Sequence, residues 1–191
     1  MDRAGTEMDR QLVVQARDGN RNAFASLVAG SIDRCYALAY RILRDPELAH
    51  DAVQVAMLGA WEDLPDLRDL DRFDPWLSRL VVNACYGEAR RERRWTAKLH
   101  MISPDLPTLP DSAIAFADRD ELERAFRRLP PEQRAVVVLH HYRGLPLTEV
   151  ATTLGIPAGT ARSRLHNATR QLRAAIEADA RTASRTNGQS A

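Results

Sequence analysis

Residues 147–166, LTEVATTLGIPAGTARSRLH, admit few backbone courses. Leu147, Val150, Ala151 and Leu154 recur at helical spacing, so one face of a short helix is buried. Gly155 suits a left-handed residue closing that helix, because glycine has no Cβ to clash there. Pro157 cannot prolong the helix but fits the lead-in to another. Thr160 is expected to accept from the free N–H groups that open the second helix. Leu165, Ala168, Leu172 and Ile176 then form an inward stripe. Arg162, Ser163, His166, Asn167 and Arg170 are left on the outward face.

That outward set is what a reader of the DNA major groove uses. Arginine bridges two acceptors on guanine, asparagine pairs with adenine, and serine donates to phosphate or base. In a helix-turn-helix, the N-terminal half of the second helix meets the bases. Taken alone, the stretch also fits an ordinary helical hairpin with a solvated arginine face.

Net charge does not announce a nucleic-acid partner, being only +1 over 191 residues. Its distribution does. Acids crowd Glu62, Asp63, Asp66, Asp69, Asp71 and Asp74, whereas arginines crowd Arg90, Arg91, Arg93 and Arg94 and recur from Arg162 to Arg173. Local basic patches, rather than net charge, bind phosphate. Lys98 is the lone lysine, and a biased genomic base composition explains so complete an exclusion. Cys35 and Cys85 lack the spacing of a metal or redox pair and are expected as small buried hydrophobes. No apolar run reaches membrane-span length and the N-terminus is charged, so a cytoplasmic protein is expected.

The pattern predicts an all-α fold, because no alternating β-branched segment occurs with hairpin turns. Helices are expected over about residues 9–18, 22–44 and 46–64, and from about Asp74 through Trp95. The second carries Phe24, Leu27, Val28, Ile32, Cys35, Ala39, Ile42 and Leu43 inward. The third carries Ala49, Val53, Ala56, Met57, Ala60 and Trp61 inward. Pro104, Pro107 and Pro110 exclude regular structure and mark a linker. The expected organisation is a helical domain over 9–97, a flexible linker over 98–117, a second helical domain without a wing over 118–178, and a disordered tail over 179–191. In the second domain, helices are expected over about 119–128 and 131–142, ahead of the helix-turn-helix.

At these residues a family resemblance enters, spanning nearly the whole chain. Leu129-Pro130-Pro131-Glu132-Gln133-Arg134, followed by Gly144 to His166, looks like the last domain of a bacterial sigma factor of the extracytoplasmic-function group, within the sigma-70 family. Asp51-Ala52-Val53-Gln54 resembles its core-binding helix. Phe73-Asp74-Pro75-Trp76-Leu77, with Asn83 downstream, resembles its promoter-melting segment.

The resemblance implies two small domains, sigma regions 2 and 4, that bind core RNA polymerase at the β′ clamp helices and the β flap. It implies promoter DNA as the other partner and an anti-sigma protein as a regulator. Core contacts then fall on Asp51 and Gln54, with Glu47 and Leu48 beside them. The loop from about Leu64 to Arg72, which carries Arg68, would with Asn83 hold a flipped base of the minus-ten element, with Arg79, Arg90 and Arg91 on phosphate. Arg162, Ser163, His166 and Asn167 would read the minus-thirty-five element, with Thr148, Arg164 and Arg170 at backbone or packing positions. Trp61 and Trp76 fall on core stripes and are expected in the core rather than as stacking platforms.

The chain departs from the family pattern at three places. Val55 stands where a Glu is usual after the Asp-x-x-Gln, and Asn167 and Thr169 replace common arginines. Each lost cation lowers the salt slope of DNA binding by roughly one unit. The acidic stretch from Asp63 to Asp74 is expected to repel DNA phosphate at long range.

Two other classes were weighed. A stand-alone helix-turn-helix regulator explains the second domain but not the Asp51/Gln54 helix or the melting segment. An enzyme is disfavoured: no Gly-rich phosphate loop precedes a helix, and no nucleophile elbow or recurrent ligand spacing appears. Adjacent His140 and His141 are expected to point apart on a helix. Catalysis, metal, cofactor and small-molecule substrate are therefore not expected.

Overall fold

The computed structural model describes residues 3–102 and 120–187, and these are helical with no strand among them. The helices are α1 (Arg3–Arg17), α2 (Arg21–Leu43), α3 (Pro46–Asp63), α4 (Phe73–Ile102), α5 (Asp120–Arg128), α6 (Pro131–Val137), α7 (Leu147–Leu154) and α8 (Ala158–Asn187). Two short 3-10 turns, Leu64–Asp66 and Leu70–Arg72, link α3 to α4. The chain divides into two compact units, Met1–Arg90 with Thr152–Ile156, and Arg91–Ala151 with Pro157–Ala191.

Local chemistry sets the breaks in the first unit. Gly19 takes φ +93 after α1, and Asn20 then caps α2 by accepting from Asn22 N–H at 3.0 Å and Ala23 N–H at 3.2 Å. Arg44 closes α2 in the left-handed region at φ 60, donating its N–H to Tyr40 O at 2.7 Å. Its guanidinium lies 5.3 Å from the centre of the Tyr40 ring. Asp45 immediately caps α3 through Leu48 N–H at 2.9 Å, with Pro46 in the first helical turn.

α2 packs against both α1 and α3. Leu38 and Ile42 of α2 are fully buried, and truncation of either to alanine should cost about 2–5 kcal/mol. Val13, Ala16, Ala23, Leu27, Leu64 and Leu67 form a cluster, with Phe73 and Trp76 packed on it. Cys35 and Cys85 are buried thiols, as their surroundings predict. The buried face of α4 is Leu77, Val81, Val82, Ala84, Cys85, Glu88 and Ala89.

In the second unit α5 and α6 pack on α8. The expected helix over 131–142 forms over its whole length, but its winding changes: α6 ends at Val137, and Val138–Tyr142 continue it as a π turn. Periodicity cannot separate an i+4 from an i+5 bonding pattern over so few residues. His140 Nδ1 lies 2.8 Å from Leu145 O, tying this turn to the loop that carries Gly144 at φ +70.

Several boundaries move. α4 continues to Ile102, five residues past the expected domain end at 97, while the proline segment 103–119 lies outside the described residues. α8 runs to Asn187, through most of the tail expected to be disordered. The alanine-rich turns just before the tail, Ala174, Ala175 and Ala178, favour helix, and α8 carries on from them through Ala180 and Ala183. Ile32 is 37% exposed and Ile176 47% exposed, though both sit on expected inward stripes. For Ile176 the reason is length, since α5 with 9 residues and α6 with 7 cannot flank all 30 residues of α8.

Two glycines in open space give opposite predictions. A Cβ at either Gly155 or Gly59 meets nothing within 4 Å, but Gly155 sits at φ +63 and Gly59 inside α3. Gly155→Ala should destabilise by about 1–2 kcal/mol. Gly59→Ala should stabilise by up to about 1 kcal/mol. Denaturation midpoints of the two variants check this.

Candidate nucleic-acid interface

The helix-turn-helix forms as the spacing predicts. α7 buries Val150, Ala151 and Thr153, Gly155 makes the left-handed turn, and α8 buries Ala161 and Ala168. The cap differs. α8 begins two residues before Thr160, and the Pro157 carbonyl accepts from Thr160 N–H at 2.9 Å and Ala161 N–H at 3.1 Å. Thr160 is therefore inside the first turn. A proline retains its carbonyl, so Pro157 can open the helix without a side-chain cap.

Arg162, Ser163, His166 and Arg170 are exposed on α8, and Asn167 is half-buried. Arg162, His166 and Arg170 recur every four residues and share one face. The Ser163 hydroxyl donates to Thr160 O at 3.0 Å, which leaves its lone pairs, rather than its proton, for an outside partner. Thr169 likewise donates to Leu165 O at 2.9 Å, so it does not substitute for a cation. Thr148 is exposed at the start of α7.

A second polar face lies on α4. Arg79, Asn83, Arg90 and Arg94 are all exposed at positions i, i+4, i+11 and i+15, within about 40° of one line along the helix. That line spans about 22 Å. It stands opposite the apolar face built on Leu77, Val81 and Cys85, so core packing holds its orientation. Arg91 is exposed one position off the line, and Arg68 lies between the two 3-10 turns rather than on the helix.

The acidic stretch before α4 is less free than its composition suggests. Asp71 pairs with Arg10 at 3.3 Å and Asp74 with Arg34 at 3.3 Å. Asp69 accepts from Asp71 N–H at 3.2 Å. Two carboxylates thus have counter-charges from α1 and α2, which weakens the expected repulsion of phosphate. Long-range pairing of this kind leaves no local sequence signal.

On α3, Glu47, Asp51, Gln54 and Leu58 share one face by their i, i+4, i+7, i+11 spacing. Leu48 is half-buried, off that face. Gln54 Nε2 lies 3.1 Å from His50 Nδ1. Both border an open groove of about 720 Å³ between α2 and α3, lined by Val28, Ile32, Tyr36, Met57, Leu58 and Trp61. Trp61, expected in the core, is 37% exposed here and meets Phe24 edge-on at 5.0 Å. Leu58 is 67% exposed. The missed signal was an excess of large apolar residues on both helices beyond what one seam can cover. Trp76 is half-buried against Phe73 at 5.8 Å, as expected.

The His140 and His141 rings are 4.7 Å apart and tilted by 60° to each other within the π turn. No group of three or more His, Cys, Asp or Glu able to hold a metal occurs among the described residues. No described helix is long and apolar enough to cross a membrane.

Residues 27–95 match the family model described as Sigma-70 region 2, and residues 119–172 that described as Sigma-70, region 4. ECF RNA polymerase sigma factor SigM of Mycobacterium tuberculosis (strain H37Rv) is 34% identical over 166 residues, or 86% of this chain and 82% of SigM. ECF RNA polymerase sigma factor SigW of Bacillus subtilis is 29% identical over 179 residues, covering 87% of this chain and 95% of SigW. Among solved structures, CnrH in complex with the cytosolic domain of CnrY has a TM-score of 0.63 at 28% identity, over 90% of this chain and 99% of that one. The sigma factor RpoE, in complex with the anti-sigma factor NepR from Bartonella quintana, shares the fold at a TM-score of 0.62 and 20% identity, over 82% and 98% of the two chains. The chain belongs to the sigma-70 family, in its extracytoplasmic-function group.

Proposed function

We propose that this protein binds core RNA polymerase and directs it to promoters, with α8 reading the upstream element and α4 opening the downstream one. The observation that carries the reading is the presence in one chain of two exposed cationic faces, Arg79–Asn83–Arg90 on α4 and Arg162–His166–Arg170 on α8. The chain contributes recognition and strand opening and performs no bond chemistry of its own. Its place of work is the cytoplasm, where the polymerase and the chromosome are.

Each face has a physical task. The α8 face enters the major groove of paired DNA, where Arg162 forks onto a guanine edge and Arg170 meets phosphate. Ser163 acts as an acceptor, and Asn167 reads from the margin. Thr148 meets the backbone from α7. On α4, Asn83 offers both a donor and an acceptor to a base turned out of the stack. Unstacking that base costs a few kcal/mol, which the amide contacts and nearby cations offset. Arg79, Arg90, Arg91 and Arg68 neutralise phosphate around it.

The α3 face of Glu47, Asp51 and Gln54 docks an arginine-bearing pair of helices of the polymerase β′ subunit, with Leu48 packed behind it. The adjoining groove receives an apolar partner residue. An anti-sigma protein that covers this groove and the α3 face blocks polymerase binding by occupying the same surface. The solved relatives bound to CnrY and NepR support a partner of this type.

The direct test mixes the protein with bacterial core polymerase and fragmented genomic DNA and maps transcript starts. Starts sharing one upstream and one downstream sequence box are expected, and starts without shared boxes count against the reading. On such a promoter, Arg162→Ala should lower initiation by roughly tenfold or more and relax the preference at one upstream position. Arg170→Ala should instead weaken all promoters alike and reduce the salt slope of binding by about one.

A further inference from the structure

The roles above leave the first helix without a task. α1 lies ahead of residues 27–95, which carry the family match, yet it packs on both 3-10 turns of the loop between α3 and α4. Val13 and Ala16 of α1 are buried in one cluster with Leu64 and Leu67 of the loop, and Leu12 and Leu70 pack against it. At the far end of the loop, Arg10 Nε lies 3.3 Å from Asp71 Oδ1. Asp69 Oδ1 accepts from Asp71 N–H at 3.2 Å, so the residue that Arg10 holds is also tied to the loop backbone. Between these anchors Asp66, Arg68 and Asp69 are exposed.

The backbone bonds that close the two turns are Leu67 N–H to Leu64 O and Arg72 N–H to Asp69 O, both at 3.1 Å. They shape each turn without tying it to the rest of the domain. Where the loop lies is left to the side chains beneath it, and those rest on α1. Hydrogen bonds weaken steeply as distance and angle depart from their optimum, so a small shift of the loop changes which base edge it can satisfy. A loop already seated also meets a base without the ordering cost that a loose one carries. Resting on the reading of this loop and Asn83 as the holder of the flipped minus-ten base, we infer that α1 positions the loop and so helps to select that base, without itself touching DNA. Val13 and Ala16 are the seat, and Arg10 is the positioning residue that sets the loop's far end through Asp71.

The test uses holoenzyme on four versions of a promoter recovered from the start mapping, differing only in the base that is turned out. The readout is the ratio of open-complex rates among the four. Arg10→Asp sets like charges opposite each other and should reduce the preference for the favoured base by about two- to fivefold, the range an exposed pair can supply. Both side chains of the pair are exposed, so the denaturation midpoint should hold. Exchanging the pair, Arg10→Asp with Asp71→Arg, should return the ratios toward the wild type. A merely structural defect lowers opening on all four promoters alike and leaves the ratios unchanged. Unchanged ratios in Arg10→Asp, or an exchanged pair no closer to the wild type than the single variant, overturn the inference. Asn83→Ala separates the two layers. If it flattens the ratios while Arg10→Asp does not, the pocket stands and the inference alone falls; if it leaves them unchanged, the reading of the pocket falls and the inference with it.

Discussion

Four of the five residues that α3 buries are alanines, at positions 49, 52, 56 and 60, with Val53 among them. α2 packs on this helix and buries Leu38, Ala39 and Ile42. Small side chains on one partner let two helices approach closely and leave little seam for larger residues to enter. The larger apolar residues are therefore displaced to the edge of the seam, where Ile32, Leu58 and Trp61 line the groove. The same packing fixes the roll of α3, which sends Glu47, Asp51 and Gln54 outward beside that groove. A hairpin closed by a left-handed Arg44 and an Asp45 cap thus produces both a rigid unit and a surface that is polar along one edge and apolar along the next.

Electrostatics in this protein is a matter of placement. A net charge of +1 gives no general attraction for DNA. Cations are instead ordered along two helices, and the acids nearest to α4 are partly paired with Arg10 and Arg34. Exposed pairs of this kind contribute little to stability, at most about 1 kcal/mol each. Their larger effect is on the local field, since a paired carboxylate repels an approaching phosphate less. The lines of arginine on α4 and α8 then dominate close to the surface, within a Debye length of about 8 Å at physiological salt.

Much of this was legible in the sequence because it is written locally. Gly155 marked the turn, Asp45-Pro46 the start of α3, and the periodic apolar residues the buried faces of α2, α3 and α4. Asn83 and Arg162 could be placed on exposed faces for the same reason, since a buried stripe fixes the opposite one. What stayed hidden depends on neighbours distant in the chain or on small differences in backbone winding. The groove needs α2 and α3 together, and the Asp71–Arg10 and Asp74–Arg34 pairs span two elements each. The π turn at Val138–Tyr142 and the early start of α8 at Ala158 are shifts of one or two residues that periodicity cannot resolve. The helix runs on to Asn187 from the alanine-rich turns before it, where polarity alone suggested disorder.

The central claim is that two separate faces of one chain perform two separable tasks, binding upstream DNA through α8 and opening downstream DNA through α4. Footprinting one holoenzyme–promoter complex by two reagents measures both at once: nuclease protection for upstream binding, permanganate reactivity of unpaired thymines for opening. Asn83→Ala should keep the upstream protection and lose the reactive thymines. A variant that loses protection and reactivity together, or neither, would contradict the assignment of strand opening to the α4 face.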